Sequence, residues 1–180
     1  IVKVDREFLT RRGLTTIFDE VKSIVLEDFP TYNPTDTTRN RQLKAARKGL
    51  REYIEECWRI NRERRVKFLS LIDEFLNGDY DLLAAYFDIA DKVGHVYYGR
   101  NTLEVMKAYF FLNRLAHEVR TRVRDGVFKI IVSDHGMESG GRHSSRAFFS
   151  FSHRLETVPK EITEFRQIIL DIINDRAELL

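Results

Sequence analysis

Two apolar runs of strand length, YDLLAAYFDIA (residues 80–90) and VFKIIVSD (residues 127–134), flank a single amphipathic stretch. That order constrains the fold more than any other feature of the chain. A nearly unbroken apolar run suits a strand covered on both faces. Strand, helix and strand in succession build a layered α/β unit with right-handed crossovers. The intervening helix is expected from Leu103 to about Arg124, capped by Asn101 or Thr102, with Val105, Tyr109, Leu112, Leu115 and Val119 on one face. RAFFSFS (residues 146–152) reads as a third strand. The expected fold is therefore α/β, a layered and mostly parallel sheet flanked by helices, in one domain over residues 1–180.

The remaining segments fill in around this frame. GLTTIFDEVKSIVLEDFP opens as a helix, with Thr16 and Asp19 at capping-box spacing and Ile17, Val21, Ile24 and Val25 on its apolar face. Thr15 and Thr16 read as cap hydroxyls rather than nucleophiles. FPTYNPTDTTRN (residues 29–40) reads as an ordered loop. A long charged helical region follows over residues 41–77, solvent-facing or broken in its middle at WRINRERRVK, and Asn77-Gly78-Asp79 stops it. DKVGHVYYGRN (residues 91–101) is expected to be a loop. PKEITEFRQIILDIIND is a terminal helix with Pro159 at its start.

Composition excludes several classes. Apolar residues make up 43% and charged residues 32% of 180, a soluble globular profile. No apolar run reaches the roughly 18 residues that a membrane span needs, and the N-terminus lacks the apolar core of a signal peptide. Cys57 is the only cysteine, which excludes internal disulfides and fits a reducing, cytoplasmic setting. The net charge of +2 gives no general case for nucleic acid, but Arg39 to Lys67 holds 11 Lys and Arg against 4 Glu. A basic helix of this kind can contact phosphates, and a solvated, salt-bridged face is the competing reading.

Ligands of open α/β sheets collect beyond the carboxyl ends of the strands. There the sequence places Asp88, Asp91, His95, Asp134, His135 and His143. Asp88 falls within the apolar run and is set aside. Asp91 and His95 stand four apart with Gly94 between them, Asp134 and His135 are adjacent, and Gly140-Gly141 gives freedom to bring His143 back over the strand ends. Carboxylate with imidazole suits borderline divalent ions, zinc first, with manganese and iron as alternatives. Five ligands exceed the need of one tetrahedral ion and suggest one ion fully held and a second partly held. Two ions so placed can clamp the attacking and leaving oxygens of a phosphoryl transfer. His117 and His153 read as surface or packing residues.

ADKVGHVYYG and IIVSDHGMESGGRHSSRAFFSFS resemble the second and third metal-ligand motifs of the alkaline phosphatase superfamily. The likeness is greatest to its type I phosphodiesterase/nucleotide pyrophosphatase and phosphoglycerate-mutase-like branches. TTIFDEV and FPTYNP resemble that family more weakly. The resemblance implies that Asp91, His95 and His143 hold one ion and Asp134 and His135 another. It also implies a phosphate ester or nucleotide as substrate. Such families begin with a strand ending in a metal-binding Asp, followed by a Thr or Ser nucleophile. Asp5 is the one candidate for that Asp, so the sheet is expected to be incomplete on its N-terminal side, with the nucleophile upstream of Ile1 and little or no turnover by residues 1–180. Arg100 and Arg142 are the nearest phosphate-facing candidates, with exposed surface arginines as the alternative. The leading function is a two-metal phosphodiesterase or phosphatase. A metal-dependent phosphomutase is the alternative within the enzymes, and a non-catalytic relic binding a partner or nucleic acid through Arg59–Lys67 is the alternative outside them.

Overall fold

The computed structural model describes residues 4–123, 125–155 and 158–178. Residues 1–3 and Arg124, the expected end of the second long helix, lie outside them. Two short helices, α1 (Arg6–Arg11) and α2 (Ile17–Glu20), open the chain. Asp5, the candidate for a strand-ending Asp, is the N-cap of α1, its carboxylate accepting from the Phe8 amide at 2.9 Å. The expected capping box forms at α2, where Asp19 accepts from the Thr16 amide at 3.0 Å and from the Thr16 hydroxyl at 2.8 Å. The helix then ends earlier than its apolar pattern suggests. Val21 turns extended and Ser23–Val25 becomes strand β1, because its β-branched residues fit a pleated surface and a partner is at hand.

That partner is β2 (Leu82–Ala84), and the two pair in parallel with Ile24 opposite Leu83. Parallel pairing ends there. β3 (Ile130–Ser133) pairs antiparallel with β6 (Phe148–Phe151), and β4 (Gly136–Glu138) pairs antiparallel with β5 (Arg142–Ser144). The fold is a helix-rich mixture of α and β with three two-stranded sheets among the described residues, not the mostly parallel layered sheet expected. The apolar run at residues 127–134 is only half covered, with Ile131 48% and Val132 41% exposed. These neighbours point to opposite faces, so neither face of β3 is fully covered, unlike a parallel strand sealed between helix layers.

Helices carry the core. Asp36–Ala46 forms α3, so helix begins within the segment expected to be a loop (residues 29–40) and continues into the expected helical region, because the Thr35 side chain caps it by accepting from the Thr38 amide. Leu50–Asn77 forms α4 without interruption. The break falls at residues 47–49, before α4, rather than in its charged middle. Ion pairs hold that middle: Glu118 meets Arg65 at 2.6 Å and Glu27 pairs with Lys67, while Arg41 of α3 bridges α4's own Glu56 and Glu63 at 2.6 Å each. Ile89–Tyr97 forms α5 in place of the expected loop, and Thr102–Arg122 forms α6, capped by Asn101 as expected. Ala108 faces inward on α6 while Tyr109 is exposed.

Ile54 and Cys57 of α4, Ile89 and Val93 of α5 and Ala108 of α6 make one buried cluster, and Leu69, Ile72, Leu115 and Val123 make a second. Each fully buried aliphatic contributes about 1.5–3 kcal/mol. A 3-10 turn (Ile162–Glu164) precedes α7 (Phe165–Glu178), so the last helix starts later than Pro159. Its Phe165 packs on Phe149 and Phe151 of β6. No helix among the described residues is long and apolar enough to cross a membrane.

Candidate metal centre

The carboxyl ends of β1 and β2 lead into the loop at residues 27–35 and into α5 respectively. α5 carries two of the expected ligands. Its spacing of four places Asp91 and His95 one above the other on a single face, so helical geometry, not a turn at Gly94, aligns them. Acid in the first turn and imidazole in the last suit the helix dipole. Gly94 has a different use: a Cβ there would stand 2.7 Å from the Met137 Cε, so the missing side chain makes room for the β4–β5 hairpin.

That hairpin brings the remaining imidazoles. His135 precedes β4, and His143 lies in β5 opposite Met137. Gly141, at the turn, has φ +73°, and a Cβ on it would lie 2.3 Å from the His95 carbonyl oxygen. The close approach lets the Gly141 carbonyl accept from His95 Nδ1 at 2.6 Å. His135 Nδ1 lies 3.0 Å from the Gly136 carbonyl. A donor at Nδ1 leaves Nε2 as the free nitrogen, the tautomer that metal sites select through such outer partners.

The three Nε2 atoms converge on one oxygen. Asp91 Oδ1 lies 3.1 Å from His95, 3.3 Å from His143 and 3.7 Å from His135. His95 and His143 are 3.0 Å apart at Nε2, and the rings of His135 and His143 stack at 3.5 Å between centroids. The ligand atoms of Asp91, His135 and His143 all lie within 4.8 Å of one another. Asp91 Oδ2 is taken by the Lys92 ammonium at 3.2 Å, while buried Oδ1 has no hydrogen-bond donor among the described residues. A buried carboxylate oxygen without a partner is costly, and a cation would satisfy it. The edges of a tetrahedron with bonds of about 2.1 Å are roughly 3.4 Å. The three distances from Oδ1 lie near that figure; His95 joins through Asp91 and His143 and stands outside the mutually close set of Asp91, His135 and His143.

Asp134 stands apart. Its side chain is 76% exposed, 3.6 Å from His135 Nε2. His135 therefore lies between two carboxylates at nearly equal distance. Asp88 is no part of the cluster; it is buried against Arg64 and Asn61. Lys92 and the Gly141 carbonyl escaped the sequence reading. A lysine beside a candidate ligand was a visible signal, whereas a backbone carbonyl leaves none. Tyr86, at the same end of β2, is pushed up to about 12 by burial and by the charges of Asp88, Asp91 and Asp134.

The family described as Type I phosphodiesterase / nucleotide pyrophosphatase matches residues 13–159. The chain belongs to it. The phosphodiesterase match contains every residue of the cluster and lies in the alkaline phosphatase superfamily. Membership points to hydrolysis of phosphate esters. No curated protein and no solved structure matches the chain.

Proposed function

We propose that the chain serves a metal-dependent hydrolase of phosphate esters, with Asp91, His95, His135 and His143 as ligands of a divalent ion. Zinc suits the donor set first, with manganese and iron as alternatives. The observation that carries the reading is the buried, donorless Asp91 Oδ1 facing three imidazole Nε2 atoms. Such an ion polarises a phosphoryl oxygen and lowers the pKa of an attacking hydroxyl or water.

The chain's own residues fix the ligands. Lys92 holds one oxygen of Asp91 and turns the other inward. Gly141 sets the His95 ring. A second ion would draw on Asp134, at the rim 3.6 Å from His135 Nε2, and would compete with the first for the one free nitrogen of that histidine; the exposure of Asp134 leaves the position open to a nucleotide or other phosphate ester. The nucleophile is not assigned. Thr15 donates to Glu20 and Thr16 to Asp19 at the N-terminus of α2, in keeping with their reading as cap residues.

Hydrolysis of bis-(p-nitrophenyl) phosphate by residues 1–180 tests the reading. Slow release that rises with added zinc or manganese, and that vanishes with EDTA and in Asp91→Asn, is expected. Release that EDTA or Asp91→Asn leaves untouched overturns it, as does a chain that neither hydrolyses the ester nor retains zinc in elemental analysis.

A further inference from the structure

Beneath α5 lies a second polar cluster that the ligand set does not include. Arg64 is 6% exposed and Asn61 is fully buried, both on α4. Arg64 Nη1 donates to Asp88 Oδ1 at 3.0 Å, and its Nη2 stands 3.6 Å from Asp28 Oδ2. Asn61 Nδ2 donates to the same Asp88 oxygen at 2.8 Å and to the Cys57 carbonyl at 2.9 Å. Asp88 occupies the N-cap position of α5, yet its side chain caps nothing, because α4 engages it. Asp28 sits in the left-handed region at φ +65° and accepts from the Thr35 amide at 2.7 Å and from the hydroxyls of Thr35 and Thr38. One guanidinium thus ties α4 to the start of α5 and to the loop that leaves β1.

This cluster is poorly explained as a stabilising device. Buried ion pairs rarely outperform apolar packing of the same volume. Here Asn61 Oδ1 and Arg64 Nε have no partner among the described residues, at a cost of about 1–3 kcal/mol for each unsatisfied group. Violations of polar satisfaction concentrate at functional sites. The function within reach is the aim of α5: Asp88 lies three residues, less than one helical turn, before Asp91. The cluster's two carboxylates and one guanidinium also leave a net negative charge beneath the candidate cation site.

We infer that Arg64 is a positioning residue for the metal centre. Its fork holds Asp88 and Asp28 together, fixes the rotation of α5, and so keeps Asp91 Oδ1 pointed at the three imidazoles. The inference rests on the metal reading above and adds a residue that touches neither ion nor substrate. Lysine cannot replace the fork, since a single ammonium lacks the planar geometry that serves two carboxylates from one side chain.

Cobalt(II) binding to the full chain separates the two claims. Affinity is read by competition with a chelator, and ligand geometry by the visible absorption of the bound cobalt. Arg64→Lys is expected to weaken cobalt binding roughly tenfold or more, the usual effect of losing an outer partner, and to change the absorption bands, while the far-ultraviolet circular dichroism keeps its helical signal. Asp88→Asn, an isosteric change, is expected to act in the same direction and decides the matter should Arg64→Lys fail to fold. Parental affinity and spectrum in a folded Arg64→Lys, or in Asp88→Asn where Arg64→Lys does not fold, overturn the positioning role and leave the metal centre standing. A parent chain that binds no cobalt removes both.

Discussion

Gly141 is where the hairpin touches α5 most closely, and Gly141→Ala tests that contact. Two effects combine. At φ +73° an alanine costs about 1–2 kcal/mol relative to glycine. Its Cβ would also start 2.3 Å from the His95 carbonyl oxygen, below the 3.0 Å floor that real Cβ contacts respect, so hairpin or helix must retreat. Such a retreat stretches the 2.6 Å bond from His95 Nδ1 to the Gly141 carbonyl and frees the His95 ring. Losing an outer partner of a ligand costs 10- to 100-fold in metal affinity, or about 1.4–2.8 kcal/mol. Gly140→Ala is the control: its φ of +81° carries the same backbone penalty, but a Cβ there meets nothing within 4 Å. Thermal unfolding should place both variants about 2–8 °C below the parent for a chain of this size. Zinc affinity by chelator competition should fall only in Gly141→Ala. Equal affinities in the two variants would refute the claim that Gly141 positions His95.

Other expectations concern the core. Ile72 is fully buried in the α4–α6 cluster, so Ile72→Ala should cost about 2–5 kcal/mol in urea unfolding while leaving metal affinity unchanged. Burial pushes the Cys57 thiol up to about 11 from an ordinary value of 9.0. The unfolded chain then ionises first, so the Cys57 contribution is fully present below pH 9 and is lost as the pH rises to 11; Cys57→Ser should flatten that decline. Cys57 should also react with thiol reagents at pH 8 only on the unfolding timescale, and rapid labelling of the native protein would contradict its burial.

The sequence made some of this legible and concealed the rest for physical reasons. Helix α6, its Asn101 cap, the stop after Asn77 and the capping box at Thr16 all follow from local signals, and each appears as expected. Strand pairing is not a local property. The SIV segment looked helical because the period of three and four in its neighbours hides a short strand, and the direction in which VFKIIVSD and RAFFSFS pair depends on contacts that neither run encodes. DKVGHVYYGRN carried Gly94 and read as a loop, whereas Ile89, Val93 and Val96 at helical spacing bury one face of α5. The candidate ligands were legible because residue type carries their chemistry, and Asp91, His95, His135 and His143 do meet. What no residue type could announce is that His135 turns to Asp91 as closely as to Asp134, or that Arg64, inside a stretch read as a solvated basic face, is buried.

The central claim is that one buried carboxylate oxygen and three imidazoles hold a divalent ion. Elemental analysis of the chain after zinc loading and exhaustive dialysis tests it most directly, with Asp91→Asn alongside. At least one zinc per parent chain, and none retained by Asp91→Asn, is the predicted result. A parent chain that emerges without zinc, or an Asp91→Asn chain that keeps as much as the parent, would contradict it.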